Sequence, residues 1–297
     1  MKPKVFLVAF LCVLTCQAQT PAETNAHPWK GRRVAYLGDS ITDPNVKAGT
    51  EKWWSYLGQW LQLTSLVYGI NGQQWIHMPQ QIQRLYDEQG QNVDFVFVRH
   101  DSAYFMQAWS ALAAPSVDAI LILMGTNDFN DGVPIGHWYD EKDTLVYAAT
   151  GQPQELVSRH YRTPNTDVTT LCGRINIAMR QLKTLYPTQQ IILLTPIHRG
   201  YAYFGDRNVQ PSEEYQNKCG LFFDSYLQAI REAGQVWAVP VIDLAQLSGL
   251  LPTLPEYHRF FAHPKTDQLH PNDKGYERMA RTLYYQLISY PLFNFLK

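Results

Sequence analysis

The chain has 297 residues, of which 45% are hydrophobic and 17% charged, and its formal net charge at pH 7 is −1. This length suits one large domain or two small ones, and the composition is that of a globular chain with a substantial core. The sequence contains no basic tract, no zinc-ligand spacing and no phosphate-binding Gly-Lys loop, so it gives no indication of nucleic acid as a partner.

The first 18 residues have the three parts of a secretory signal peptide. Lys2 and Lys4 precede a short apolar run, and small or polar residues follow it. The run is too short for a stable transmembrane anchor, so we expect export to the periplasm or the exterior, with cleavage after Ala18. The alternative is a lipid anchor on Cys16. In the remaining chain, residues 19–297, we expect a single domain.

Apolar segments alternate with amphipathic ones along the rest of the chain. The predicted strands are 34–37, 66–68, 117–124, 191–194 and 239–243. The predicted helices are 51–63, 78–88, 167–186, 213–233 and a last helix capped by Asn272. Such alternation predicts a mostly parallel sheet with helices on both faces, that is, a three-layer α/β/α domain. Cys172 and Cys219 fall in predicted helices, and we expect free, buried thiols there, although the sequence leaves a disulfide open.

Two segments have no clear place in that alternation. Residues 93–116 contain a further apolar run and an aromatic stretch, which we treat as an insertion of unassigned role. Residues 129–166 hold Gly, Pro, Asp and aromatic residues with little periodicity. Because so long a stretch is seldom structureless in a compact domain, we predict that 129–166 is an insertion at the active site that helps to bind substrate.

Polar loops follow three of the predicted strands, and ligand sites of open α/β folds lie at that edge of the sheet. The first loop begins with Gly38, Asp39 and Ser40, the second contains Gly69, Ile70, Asn71 and Gly72, and the third contains Gly125, Thr126, Asn127 and Asp128. Two glycines within four residues in the second loop indicate unusual backbone angles or a close approach. The two aspartates, Asp39 and Asp128, are expected to hold their loops by hydrogen bonds.

Asp267 and His270 stand three residues apart in a predicted turn before the last helix. This spacing can place a carboxylate beside an imidazole, where it fixes the tautomer and stabilises the imidazolium, as a serine nucleophile requires. His263 is also followed by proline but has no aspartate three residues earlier, so we do not assign it a role.

These four segments together resemble the motif blocks of the SGNH hydrolases, also called the GDSL esterase family. The blocks occur in family order, each where a strand should end, and the resemblance runs from Arg33 to about Leu287. It implies a flavodoxin-like α/β/α fold and a serine esterase that forms an acyl-enzyme. The reaction needs no metal and no organic cofactor.

The resemblance also implies a role for each matching residue. Ser40 would be the nucleophile, His270 its general base and Asp267 the residue that orients His270. The backbone N–H groups of Ser40 and Gly72 and the side-chain amide of Asn127 would form the oxyanion hole. An asparagine amide suits this role because it is a neutral donor that can be aimed from a rigid strand end.

The resemblance leaves the substrate open, and export favours an ester outside the cell. Loops that should border the site contain aromatic or polar side chains suited to sugars, namely Trp75, Trp138, Tyr139, His198, Arg199, Tyr201, Tyr203 and Phe204. Because many exported relatives deacetylate polysaccharides, we expect an acetylated oligo- or polysaccharide. The alternatives are a lysophospholipase, an arylesterase or another short-chain esterase. A metallophosphoesterase or a non-catalytic carbohydrate-binding relative fits the polar residues less well.

Overall fold

The computed structural model describes residues 27–89, 95–100, 103–108, 117–147 and 156–289, the second and third ranges by their backbone alone. The predicted signal peptide and Cys16 lie outside the described residues. The elements in chain order are β1 (Arg33–Gly38), α1 (Trp53–Trp60), β2 (Thr64–Val67), α2 (Met78–Gln89), β3 (Phe95–His100), β4 (Ala103–Ala108), β5 (Ala119–Leu123), α3 (Thr126–Asn130), β6 (Tyr139–Tyr147), β7 (Leu156–Pro164), α4 (Leu171–Leu185), β8 (Gln190–Leu194), β9 (Ala202–Tyr203), β10 (Val209–Gln210), α5 (Phe223–Trp237), β11 (Val241–Ile242), α6 (Leu244–Leu247), β12 (Phe261–His263), β13 (Asp267–Pro271) and α7 (Asp273–Ser289).

A five-stranded parallel sheet with the order β11-β8-β5-β1-β2 forms the centre of the molecule. The predicted α/β/α fold with a parallel sheet is therefore confirmed. The chain runs outward from β1 to β2 and then returns past β1 to β5, so the strand order reverses between β1 and β5. That reversal is the switch point of flavodoxin-like sheets, where the loops at the carboxyl ends of the strands diverge and leave a crevice.

Helices cover both faces of this sheet. α2, α4 and α5 pack on one face, while α1 and α7 pack on the other. Along β1, Ala35 and Leu37 face the first layer, and Val34 and Tyr36 face the second, because successive side chains of a strand point to opposite faces. All four side chains are buried, which is why β1 appears in the sequence as a continuous apolar run.

A second, antiparallel sheet with the order β10-β9-β13-β12 lies beside the central one. Asp267 and His270 belong to β13, so they lie on a strand and not in the predicted turn. The strand is irregular, because its register with β12 shifts between Phe261 and His263. Asp267 Oδ1 also accepts hydrogen bonds from the backbone N–H groups of Leu269 and His270, at 3.2 and 3.0 Å. This local fold-back allows two side chains three residues apart to meet.

The last helix begins where the sequence predicts. Asn272 Oδ1 accepts hydrogen bonds from the backbone N–H groups of Lys274 and Gly275, at 3.0 and 3.2 Å. Asn272 therefore caps α7, as predicted, and the start of the helix is fixed directly behind β13.

The helix predicted over 213–233 is wrong at its beginning, since α5 starts at Phe223. Asn217 explains the difference, because its side-chain oxygen accepts hydrogen bonds from the N–H groups of Cys219 and Leu221, both at 3.1 Å. Such local bonds compete with helix formation. Cys219 consequently lies in an exposed turn and not in a buried helix, whereas Cys172 is buried in α4, and both thiols are free.

Both segments treated as insertions contain antiparallel hairpins. β3 pairs with β4 within 93–116, where the side chains lie outside the described residues. β6 pairs with β7 along nine residues each, from Tyr139 opposite Pro164 to Tyr147 opposite Leu156. Most side chains of this second hairpin are exposed on both faces, so no apolar alternation marks its strands in the sequence. No helix of the described residues is long and apolar enough to cross a membrane.

Candidate active site

Ser40 lies in the turn after β1, at the carboxyl edge of the central sheet. Asp39 holds this turn: its backbone carbonyl accepts hydrogen bonds from the N–H groups of Thr42 and Asp43, and its carboxylate accepts one from the Ile41 N–H at 3.0 Å. Burial raises the pKa of the Asp39 carboxyl to about 7, and the bond from Ile41 opposes that rise. Asp39 thus has the structural role expected of it.

Ser40, His270 and Asp267 form a continuous chain of hydrogen bonds. His270 Nε2 is 2.9 Å from Ser40 Oγ, and His270 Nδ1 is 2.9 Å from Asp267 Oδ2. Because Asp267 can only accept from the ring, Nδ1 carries the proton and Nε2 is left to accept from the serine hydroxyl. Ser40 and His270 are 3% and 6% exposed, so these hydrogen bonds are shielded from water except at the cavity above them.

The loop after β2 approaches the turn of Ser40 closely. A Cβ atom on Gly69 would come within 2.6 Å of the Thr42 side chain, and Gly72 has a φ of +75°. Both glycines are therefore required, one by close approach and one by its backbone angle, as the sequence predicts.

Three N–H donors belong to residues that line the cavity over the Ser40 hydroxyl. Among the residues that the structure describes, no acceptor binds the backbone N–H of Ser40 or that of Gly72. The Asn127 side-chain amide donates one of its two hydrogens to the Gln73 carbonyl oxygen at 2.8 Å, which holds the amide between the two loops. Ser40, Gly72 and Asn127 line the same cavity, so a negatively charged oxygen in it would meet donors already in place.

Gln81 of α2 joins the loops that follow β1 and β2. Its Oε1 accepts a hydrogen bond from the Gly38 N–H at 3.0 Å, and its Nε2 donates to the Gly38 carbonyl at 2.8 Å and to the Gln73 side chain. Sequence reasoning missed this residue. Its signal is a polar side chain on the face of α2 that also carries Met78 and Ile82, which marks a buried hydrogen-bonding position.

Asp128 connects the loop after β2 to the start of α3. It is fully buried, and it accepts hydrogen bonds from the Trp75 N–H at 3.1 Å and from the Arg174 guanidinium at 3.0 Å. Burial raises the pKa of the Asp128 carboxyl to about 6, although the Trp75 N–H and Arg174 both lower it. Like Asp39, Asp128 holds its loop by hydrogen bonds, as expected.

An open cavity of about 460 Å³ lies over Ser40 and His270. Its apolar side chains are few, and the ring of Phe204 is the largest, 43% exposed and 5.4 Å from the His270 ring between centroids. The complete lining is Ser40, Asp43, Asn45, Val46, Lys47, Ala48, Asn71, Gly72, Asn127, Phe204, Asn208, Gln210, Asp267 and His270. The cavity therefore suits a polar ligand better than a long apolar chain.

The prediction of a substrate-binding role is wrong for two residues, Trp75 and Arg199, because both are buried. Trp75 is 1% exposed and packs in the core between α2 and the sheet, so no face of its ring is available to a ligand. Arg199 is 0% exposed, and its guanidinium is bonded to Thr126 and Gln210. Arg199 thus holds Gln210, a residue of the cavity lining, without lining the cavity itself.

The other three predicted binding residues lie outside the lining of the cavity. His198 is ion-paired with Glu213 at 2.8 Å, which raises the pKa of the imidazole. Trp138 Nε1 donates to a Glu232 carboxylate oxygen at 2.9 Å. The Tyr139 ring is covered by a guanidinium from the opposite strand of its hairpin, 4.1 Å from the ring centroid. A substrate role for segment 129–166 remains a prediction.

Sequence reasoning also missed most of the polar residues that do line the cavity. Asn45 and Lys47 follow Ser40 in the same loop, and Asn208 and Gln210 lie at the end of the β9–β10 hairpin. The short distance from Ser40 along the chain could have identified the first pair. No sequence signal identifies the second pair, because β9 and β10 are only two residues long.

Replacing Gln81 by methionine tests the junction between the two loops. Gln81→Met should lower the free energy of unfolding by about 1–3 kcal/mol, because the buried Gly38 N–H loses its acceptor. The matched control is Gln83→Met, an exposed site on the same helix, which should change it by less than about 0.5 kcal/mol. Urea unfolding measures the free energy of unfolding of both variants. Equal effects at the two positions would contradict the role given to Gln81.

Comparison with known proteins shows the family of the chain and agrees with its fold. The model of the GDSL-like lipase/acylhydrolase family matches residues 36–278. No curated protein sequence matches with significance. A protein from Lactobacillus plantarum is similar in structure, with a TM-score of 0.59 and 22% identity over 88% of this chain and 98% of that one. A protein described as a possible lipase from Chitinophaga pinensis has a TM-score of 0.54 and 19% identity over 86% of this chain and 98% of that one. The chain belongs to the GDSL-like lipase/acylhydrolase family.

Proposed function

We propose that the protein is an exported serine esterase that removes O-acetyl groups from a carbohydrate. The observation that carries the esterase chemistry is the hydrogen-bonded chain from Ser40 Oγ through His270 to Asp267, open to a cavity with free N–H donors. Export rests on the signal-peptide pattern of the first 18 residues.

The proposed reaction has two acyl-transfer steps. Ser40 Oγ attacks the ester carbonyl carbon while His270 Nε2 takes the hydroxyl proton, and Asp267 stabilises the imidazolium. The oxyanion is held by the N–H groups of Ser40 and Gly72 and by the Asn127 amide. The alcohol leaves with the proton from His270. Water then attacks the acyl-enzyme, His270 takes its proton, and the acid is released as Ser40 recovers its hydrogen.

The carbohydrate part of the proposal rests on the polarity of the cavity. Amide side chains of Asn45, Asn71, Asn208 and Gln210 line it, whereas a long-chain lipid ester needs an extended apolar channel. The Phe204 ring offers an apolar face on which a sugar can stack. Comparing purified protein on acetylated oligosaccharides and on esters of increasing acyl length tests this choice, and a preference for long acyl chains would reject it.

Ser40→Ala should abolish ester hydrolysis and leave the protein folded, because Ser40 has the only hydroxyl within the described residues that hydrogen-bonds to His270. A serine-directed phosphonate should label Ser40 in the original protein and nothing in the variant, as mass spectrometry of tryptic peptides can show. Circular dichroism serves as the control for folding. Labelling of a different residue, or activity that survives the substitution, would remove Ser40 from its role.

His270→Ala should lower kcat by about 10⁴-fold or more, since the serine loses its base. In the original protein, kcat/KM should fall as the pH drops, because a protonated imidazole cannot accept the hydroxyl proton. His263→Ala is the matched control: His263 is exposed and accepts hydrogen bonds only from its own turn, so rate and pH profile should stay unchanged. The opposite result would identify His263 as the base.

Asn127→Ala should lower kcat by roughly 10²–10³-fold with little change in KM, the usual effect of losing one oxyanion donor. Steady-state kinetics on a small acetate ester, together with a melting temperature, distinguish this from a structural effect. A lower melting temperature with near-normal kcat would show that Asn127 only supports the Gln73 loop.

A further inference from the structure

A second cavity of about 330 Å³ lies next to the one over Ser40, and Asn208 belongs to the lining of both. Most of its lining is polar and includes Asn130, Asp131, Arg207, Gln216 and Lys218. The volume is within the range of cavities that hold small ligands. A ligand that reaches past Asn208 from the first cavity therefore enters a second polar space.

The carboxylates that line the two cavities are hydrogen-bonded within the protein, whereas the cations that line them have no such bond among the described residues. Every carboxylate in their linings is bound by protein donors: Asp43 by the N–H groups of Asn45 and Asn71, Asp131 by the side chains of Gln74 and Asn130, and Asp267 by His270. In contrast, Lys47, Arg207 and Lys218 form no ion pair or hydrogen bond through their side chains within the described part of the chain. The lining of the second cavity contains two cations, Arg207 and Lys218, against one carboxylate, Asp131, so this cavity has an excess of positive charge and favours an anionic ligand.

Asn208 forms the wall between the two cavities, and its hairpin is paired with the strand that carries His270. Asn208 is held in its loop by two backbone bonds, one from the Phe204 N–H at 2.9 Å and one to the Gly205 carbonyl at 2.8 Å. This loop joins β9 to β10, and β9 pairs with β13 through Ala202 opposite Asp267. The second cavity consequently has a fixed position relative to the Ser40–His270 pair, as a neighbouring subsite requires.

We propose that the second cavity is a subsite for an acidic sugar residue, a uronate, next to the acetylated sugar in the substrate chain. Arg207 and Lys218 bind its carboxylate, and Asn208 contacts both sugars. The inference rests on the proposed function, because it takes the deacetylated sugar to lie over Ser40. It adds that the substrate is an anionic polysaccharide.

The experiment replaces both cations, as Arg207→Gln/Lys218→Gln, and compares three substrates. For acetylated oligogalacturonide, kcat/KM should fall about fivefold or more through KM, since each exposed charge pair contributes a few-fold. For neutral acetylated xylo-oligosaccharide and for 4-nitrophenyl acetate, kcat/KM should change less than twofold. The control is Lys30→Gln/Arg180→Gln, which removes two exposed cations that line neither cavity. It should leave all three rates unchanged.

Direct binding separates this inference from the proposed function. Unacetylated oligogalacturonide should bind the Ser40→Ala protein in calorimetry, more weakly at high salt, and the Arg207→Gln/Lys218→Gln exchange should weaken that binding. If no ester is hydrolysed but this binding occurs, the proposed function fails and the subsite stands. If 4-nitrophenyl acetate is hydrolysed but oligogalacturonide does not bind, or if the exchange affects neutral and acidic oligosaccharides equally, the subsite inference is overturned.

Discussion

The contact between Ser40 and His270 depends on how α7 and β13 dock against the loop after β1, because Ser40 follows a strand of the central sheet whereas His270 lies on the antiparallel sheet. Asp273 forms this junction. Its Oδ1 accepts hydrogen bonds from the N–H groups of Thr50 and Glu51, at 2.6 and 3.1 Å, and its Oδ2 accepts from the Thr50 hydroxyl at 3.0 Å. The Glu51 N–H foremost lowers the pKa of Asp273, so these bonds are charge-assisted at neutral pH. Since Asp273 follows His270 by three residues, the junction fixes the imidazole relative to the serine.

The buried guanidinium of Arg199 joins two segments on the other side of the cavity, as Asp273 does near His270. The Arg199 guanidinium donates to the carbonyl and the hydroxyl of Thr126, at 2.8 and 2.9 Å, and to Gln210 Oε1 at 3.0 Å. Burial lowers the pKa of Arg199 to about 10, with the Glu213 carboxylate opposing, so the group stays charged at neutral pH. Thr126 immediately precedes Asn127, and Gln210 lines the cavity. One side chain therefore sets the distance between the proposed oxyanion donor and the wall that faces the substrate.

The layers and strand-end loops could be predicted from sequence because long apolar runs and the polar motifs after them are local features. The substrate-contacting residues could not, since exposure is decided by tertiary packing. Trp75 and Phe204 are both aromatic residues of loops, yet the first is enclosed beneath α2 and the second is 43% exposed over His270. Likewise, the sequence predicts a turn at Asp267 and His270, whereas a regular strand would point these two side chains, three residues apart, to opposite faces. Their meeting depends on the irregular register of β13, which is a property of its pairing with β12.

The site divides its tasks between two sheets. The parallel sheet supplies Ser40, Gly72 and Asn127 from loops that its strand order brings to one edge. In the proposed reaction, these residues would need nothing of the substrate beyond an ester carbonyl. The antiparallel sheet supplies both the proposed base, on β13, and the Asn208 wall, on the hairpin paired with it. Under the proposed function, changes in that hairpin would alter which alcohol fits, and they would act on β9, the strand that pairs directly with the one holding His270. Under the proposed function, substrate choice and orientation of the base are therefore mechanically coupled, and Arg199 links the Asn127 loop to the same hairpin through Thr126 and Gln210.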